Sequence, residues 1–272
     1  MNTMTTENVS DAFTGKESRF SRTWRWIKTG FEDDFRRIIE TGSFREDSGN
    51  EILWKTRNKY TIRITAASGK SVAFKYYKKL RLFPYLYHTS PVTREALNYQ
   101  RMTTLGLPMA RLLAVGDERK FFRPLSCFIA TEFAENCLDG RVFYPDGAME
   151  RESELRDEFC RRNFELLATL HDSGYYHRGF TPANELWRMK GKSMELIWID
   201  VASCRKLPSP LLRKKIPEDF VNFLRFYRYE PEEYRQFIQS YCDAAKVKRV
   251  EPEELFRAVR TRLEDPSLKR HH

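Results

Sequence analysis

The chain has no Cys-x-x-Cys pair and no cysteine/histidine spacing that suits a metal. Its five cysteines, Cys127, Cys137, Cys160, Cys204 and Cys242, are odd in number and scattered, so neither a zinc site nor a disulfide framework is expected and a reducing compartment follows. No run approaches the roughly 20 apolar residues of a membrane helix. Met1 to Lys16 lacks the apolar centre of a signal peptide, so a cytoplasmic protein is expected, with peripheral membrane contact left open. Internal repeats are absent. Acidic residues are the minority, 38 Asp and Glu against 48 Lys and Arg, and the formal charge of +10 attracts phosphates, anionic lipid heads or nucleic acid without choosing among them. Aromatics are plentiful at 14% and argue for a packed core rather than a basic disordered tail.

In 272 residues the order is strands first, then helices. Residues 1–20 read as a mobile leader. Trp24, Trp26 and Ile27 among basic residues, then Phe31, Phe35, Ile38 and Ile39, read at helical spacing as a short helix packed on the domain; an interfacial lipid anchor is the sharper alternative. Period-two runs predict strands near 51–57, 59–65 and 71–77, and two more over 112–116 and 126–133. Helices are expected over 91–105, 152–171, 216–229, 232–245 and 251–263, with Pro217, Pro231 and Pro252 at their starts. The segment Lys78 to His88 interleaves cations and aromatics; it reads as a loop facing solvent or a phosphorylated substrate, and less readily as a platform for single-stranded nucleic acid. These elements amount to an α+β chain: a small antiparallel β-rich N-lobe over 21–133 with its N-terminal helix, a larger helical C-lobe over 134–265, and a disordered tail over 266–272.

The chemistry concentrates between Leu170 and Lys206. There a helix closes at Gly174, the loop His177-Arg178-Gly179 follows with Asn184 five residues on, and a strand over 195–199 delivers Asp200. That is the layout of a kinase catalytic loop followed by a metal-binding aspartate. Val72-Ala73-Phe74-Lys75 is close to the Val-Ala-Ile-Lys strand that carries the phosphate-binding lysine. A lysine on the inner face there needs an anionic partner, and Glu95, twenty residues on, stands where that partner belongs. Taken alone, Lys75 reads equally as an edge lysine facing water and Glu95 as a helix-dipole charge. A hinge at Glu132 to Ala134 would meet an adenine ring through backbone groups.

Several short patterns in this order resemble the lipopolysaccharide core kinases that phosphorylate heptose or Kdo sugars. They are Ile62-Arg63-Ile64 before Gly69 and Phe74-Lys75-Tyr76-Tyr77; Arg94-Glu95-Ala96 leading to Leu105-Gly106-Leu107-Pro108; Leu170 to Arg178; Trp198-Ile199-Asp200 with Arg205; and Glu218-Asp219-Phe220 leading to Phe223-Leu224-Arg225. The resemblance covers about residues 50 to 245. It implies a two-lobed protein-kinase-like fold, ATP with Mg2+ as cofactors, a lipopolysaccharide core or other phosphorylated glycolipid as partner in place of nucleic acid, and work at the cytoplasmic face of the inner membrane. By position it implies that Lys75, oriented by Glu95, holds phosphates, with Ala73 and Glu132 lining the nucleotide; that Asn184 and Asp200 hold metal ions; that His177 braces the loop; and that Asp219 holds the loop's backbone, an N-terminal helix charge being its alternative.

Two departures stand out. No Gly-x-Gly-x-x-Gly lies between the first two strands, so Lys55, Arg57 or Lys59 is left to meet phosphate. Gly179 occupies the place of the aspartate that receives the acceptor's proton, a group worth about 10²–10⁴-fold in rate. Nucleotide binding with slow or absent transfer is therefore expected, that is, a kinase or a pseudokinase scaffold of envelope assembly. A substitute carboxylate would restore transfer; Asp172 and Glu185 are nearby in sequence, but neither occupies the required position.

Overall fold

Tyr60, Ile62 and Ile64 recur at every second position, as do Val72, Phe74 and Tyr76, and in a strand each such set lies on one face. The computed structural model, which describes residues 22–28, 30–78, 91–120 and 123–265, uses that alternation to build one sheet. Strands β1 (Arg22–Ile27), β2 (Ile52–Lys55), β3 (Lys59–Thr65), β4 (Ser71–Tyr77), β5 (Leu112–Lys120) and β6 (Arg123–Glu132) are antiparallel in the order β1-β5-β6-β4-β3-β2. The register pairs Thr61 with Lys75 and Arg63 with Ala73 on one face, and Ile62 with Phe74 on the other.

The apolar face is covered by helix α1 (Glu32–Thr41) and the segment after it. Phe31, Phe35, Ile38 and Phe44 bury against Ile62, Ile64, Val72, Phe74 and Phe128, with Phe35 stacked on Phe128 at 5.4 Å and Phe74 on Phe128 at 4.9 Å. Asp34 pins the helix to the β3–β4 turn by accepting from Ser68 N–H at 3.0 Å. The helical reading of 24–27 is corrected: those residues are strand β1. Their Trp and Ile are good strand formers, the edge of β5 supplies backbone partners, and Gly30, at φ 81°, turns the chain before α1 begins.

Helix α2 (Pro91–Thr104) leads from this sheet to the second compact unit. By its internal contacts the chain divides into the described residues before Arg101 with Ala110–Glu135, and Arg101–Met109 with the residues from Asn136 onward. The second unit contains helices α3 (Ser153–Asp172), α4 (Ser209–Leu224), α5 (Pro231–Ala244) and α6 (Pro252–Leu263), and short strands β7 (Leu138–Asp139), β8 (Tyr175–Tyr176), β9 (Glu185–Lys190), β10 (Ser193–Trp198) and β11 (Arg205–Lys206). Its core is aromatic: Phe164 of α3 stacks on Phe220 of α4 at 4.4 Å, and Phe180 on Phe223 at 4.6 Å.

Pro231 and Pro252 do open their helices, but Pro217 does not. Helix α4 starts seven residues before 216, where Pro208 and Pro210 supply the start, and Pro217 lies inside it. Asp219 is therefore interior to the helix, and the helix-start alternative for it falls away. Among the described residues no helix is long and apolar enough to cross a membrane. The leader, the tail and the cationic-aromatic stretch beyond Lys78 lie outside the described residues.

Candidate active site

In the first unit, β4 places Lys75 on the sheet face opposite α1. Its ammonium donates to Glu95 Oε1 at 3.0 Å and Oε2 at 3.2 Å, with the glutamate side chain 2% exposed and the lysine 12%. Glu95 is the fifth residue of α2, past its first turn, and its buried carboxylate partners Lys75 instead of serving as a helix-end charge. A buried pair of this kind holds the lysine's position, because neither charge tolerates losing the other. Ala73 lies two residues before Lys75 on the same face.

At the end of β6, Glu132 N–H donates to Arg111 O and Phe133 N–H to Ser71 O, so two of the expected hinge donors are used inside the sheet. Those two N–H groups are therefore not open to a base. Arg63 grips the segment by a bidentate pair with Glu135 at 2.9 Å, its guanidinium 4.3 Å from the ring centre of Phe133.

In the second unit, the loop after β8 is held from below by Asp219. This fully buried carboxylate accepts His177 N–H at 3.0 Å and Arg178 N–H at 2.9 Å, and lies 3.2 Å from His171 Nε2, whose Nδ1 is 2.9 Å from Tyr241 Oη. The His177 ring is fully buried among Phe180 and Trp198, 5.6 Å from each ring centre, and neither ring nitrogen has a hydrogen-bond partner in the structure. Burial pushes its pKa below the ordinary value, opposed first by the charge of Asp219, so the ring is neutral packing inside the loop.

Asn184 and Asp200 flank one hairpin. Glu185, the first residue of β9, pairs with Trp198, the last of β10, and Ile199 N–H donates to Asn184 O at 3.0 Å, so the residues on either side of that end are neighbours. Asn184 Nδ2 donates to Gly179 O at 3.0 Å, which leaves its Oδ1 for a cation. Asp200 adopts the left-handed conformation, φ 55° and ψ 52°, as does Arg178 at φ 64°. Non-glycine residues held there cost roughly 1–3 kcal/mol and cluster at functional loops. One carboxylate and one amide oxygen, both partly exposed, suit Mg2+, which keeps several waters and takes few protein ligands besides substrate phosphates. No cluster of three or more His, Cys, Asp or Glu fit for a metal occurs among the described residues.

Three residues carry information that the sequence reading missed or misplaced. Ser203 Oγ donates to His177 O at 3.0 Å and lies 2.8 Å from where a Cβ on Gly179 would be, so the space beside the glycine is occupied. Glu185 is fully buried, both carboxylate oxygens lack partners among the described residues, and burial pushes its pKa well above the ordinary value. It is no rescue base. Nor is Asp172, whose carboxylate accepts Lys246 N–H at 2.7 Å and Val247 N–H at 3.0 Å and so closes the chain between α5 and α6. A partly buried serine leaves no sequence signal at all; the pairing of a small residue at 179 with a small polar one at 203 becomes visible only in three dimensions.

With that geometry in hand, the comparisons are specific. The model of the Lipopolysaccharide kinase (Kdo/WaaP) family matches residues 44–241. Among solved structures, one titled "WaaP in complex with acyl carrier protein" superposes with a TM-score of 0.61 at 15% identity, over 88% of this chain and 98% of that one, and so shares its fold. A search of curated proteins gave no match.

Proposed function

Since the chain belongs to the lipopolysaccharide kinase (Kdo/WaaP) family, we propose that it moves the terminal phosphoryl group of ATP to a heptose or Kdo hydroxyl of the lipopolysaccharide core, working at the cytoplasmic face of the inner membrane. The observation that carries this is the loop clamped by Asp219 with Asn184 and Asp200 at one hairpin end. Bound Mg2+ and ATP would supply the phosphoryl group and the positive charge that offsets what develops on it during transfer. Lys75 binds phosphate oxygens, and Glu95 keeps its ammonium charged and in place. Asn184 Oδ1 and the Asp200 carboxylate would hold the metal. Asp219 fixes the loop by its backbone and leaves the exposed Arg178 side chain to meet the acceptor.

One observation favours a second reading, a nucleotide-binding pseudokinase acting in envelope assembly. Gly179 brings no carboxylate, and the place beside it is filled by Ser203. The acceptor proton then has no side chain on the loop position to receive it, and transfer falls by about 10²–10⁴-fold. Incubation of the protein with ATP labelled at its terminal phosphate and deep-rough lipopolysaccharide separates the two. Label on the glycolipid that disappears in Asp200→Ala supports the kinase. A magnesium-dependent thermal shift with ATP but no label supports the pseudokinase, and neither signal contradicts both.

A further inference from the structure

A glycine-rich loop ordinarily presents backbone N–H groups to nucleotide phosphates, and the turn between β2 and β3, Thr56-Arg57-Asn58, has no glycine to do so. Three cations surround that turn, and the sheet separates them. Lys55 pairs across the strands with Tyr60, on the face that α1 covers, and its ammonium is bonded to Glu46, which also holds Lys78. Arg57 is exposed at the tip.

Lys59 alone of the three belongs to the Lys75 face. It pairs with Tyr77 across β3 and β4, two steps along from the Thr61–Lys75 pair. Its ammonium lies 4.6 Å from the ring centre of Trp54 and 5.8 Å from that of Tyr77. The same Tyr77 ring has the Lys75 ammonium 5.7 Å from its centre, and its hydroxyl lies 3.4 Å from Glu95 Oε2. Two ammonium groups thus share one ring, but only Lys75 has a carboxylate; Lys59, half-buried, has none among the described residues. Trp54 is 43% exposed and gives Lys59 an aromatic surface without neutralising it. Rings attract a cation but leave its charge uncompensated, which suits Lys59 to an anionic ligand.

We propose that Lys59, cradled by Trp54 and Tyr77, is the side chain that takes the place of the glycine-rich loop and binds the outer phosphates of the nucleotide beside Lys75. The proposal rests on the kinase reading above, since it presupposes a nucleotide on this face. It makes Lys59 a phosphate-binding residue and Trp54 a positioning residue.

Calorimetric titration of the full-length protein with ATP, ADP and adenosine in magnesium buffer tests it, with wild type, Lys59→Met, Lys59→Arg, Trp54→Leu, Lys55→Met and Lys75→Met compared. Lys59→Met, which cannot form the charge-assisted hydrogen bond to phosphate, binds ATP more weakly than wild type by about tenfold or more. The same variant leaves adenosine binding within about twofold, Lys59→Arg restores most of the ATP affinity, and Trp54→Leu gives an intermediate loss. Lys55→Met binds ATP as wild type does. Equal ATP affinity for wild type and Lys59→Met, with Lys75→Met still impaired, overturns this inference and leaves the kinase reading standing. No ATP binding by wild type overturns both. A parallel loss of ATP and adenosine binding in Lys59→Met makes the residue structural and likewise overturns it.

Discussion

At position 179 the absent side chain is half of the change; the other half is the Ser203 hydroxyl standing 2.8 Å from where its Cβ would go. Gly179→Asp alone is therefore expected to lower the melting temperature and give little turnover. Gly179→Asp with Ser203→Gly frees the space at the loss of the hydroxyl's bond to His177 O, about 1 kcal/mol. That pair is expected to raise label transfer by about 10²-fold or more over wild type; a double variant no faster than the single one contradicts the account of this loop. Glu185 offers a second residue-scale test. A buried carboxyl with no partner costs about 1–3 kcal/mol, so Glu185→Leu is expected to unfold at higher denaturant than wild type by about that amount.

His177 gives a pH dependence whose sign follows from burial. Its folded pKa is lowered, so the folded state resists a proton that the unfolded chain accepts below about 6.5. The stability it contributes is present above that pH and is lost as pH falls towards the depressed folded value. Between pH 7 and 5, wild type loses stability that His177→Phe retains, as denaturant midpoints at the two pH values would record.

Among the elements, α4 depends on its place and not on its sequence signals. Pro217 reads as a helix start, but Pro208 and Pro210 start the helix earlier and the tertiary packing of Phe220 and Phe223 carries it through. Asp219 is thereby set in mid-helix under three donors, and Asp219→Ala is expected to cost roughly 2–5 kcal/mol by orphaning them in a buried place. Likewise Phe35→Ala, which removes the ring that joins α1 to Phe128, is expected to cost about 3–5 kcal/mol in a denaturant titration. Strands β3 and β4 were legible in the sequence because each buries one face, and alternation records that directly. Strand β1 was not, since its partner β5 comes far later in the chain and a non-local pairing leaves no local trace. The pairing of Lys75 with Glu95 was legible as spacing. The burial of Glu185 was not, because a lone carboxylate in sequence reads as a surface group.

For the molecule as a whole, the central proposal is that magnesium-dependent ATP binding needs both Lys75, held by Glu95 in the first unit, and Asp200, near Asn184 in the second. Each group is built by its own unit's packing: the sheet and α2 make the first, the β9–β10 hairpin and α4 the second. The direct measurement is magnesium-dependent ATP binding by wild type, Lys75→Met, Asp200→Ala and the double variant. The account predicts binding that requires magnesium, a loss of about tenfold or more in each single variant, and a double variant at least as impaired as either. Magnesium-dependent ATP binding that survives unchanged in Asp200→Ala would contradict it.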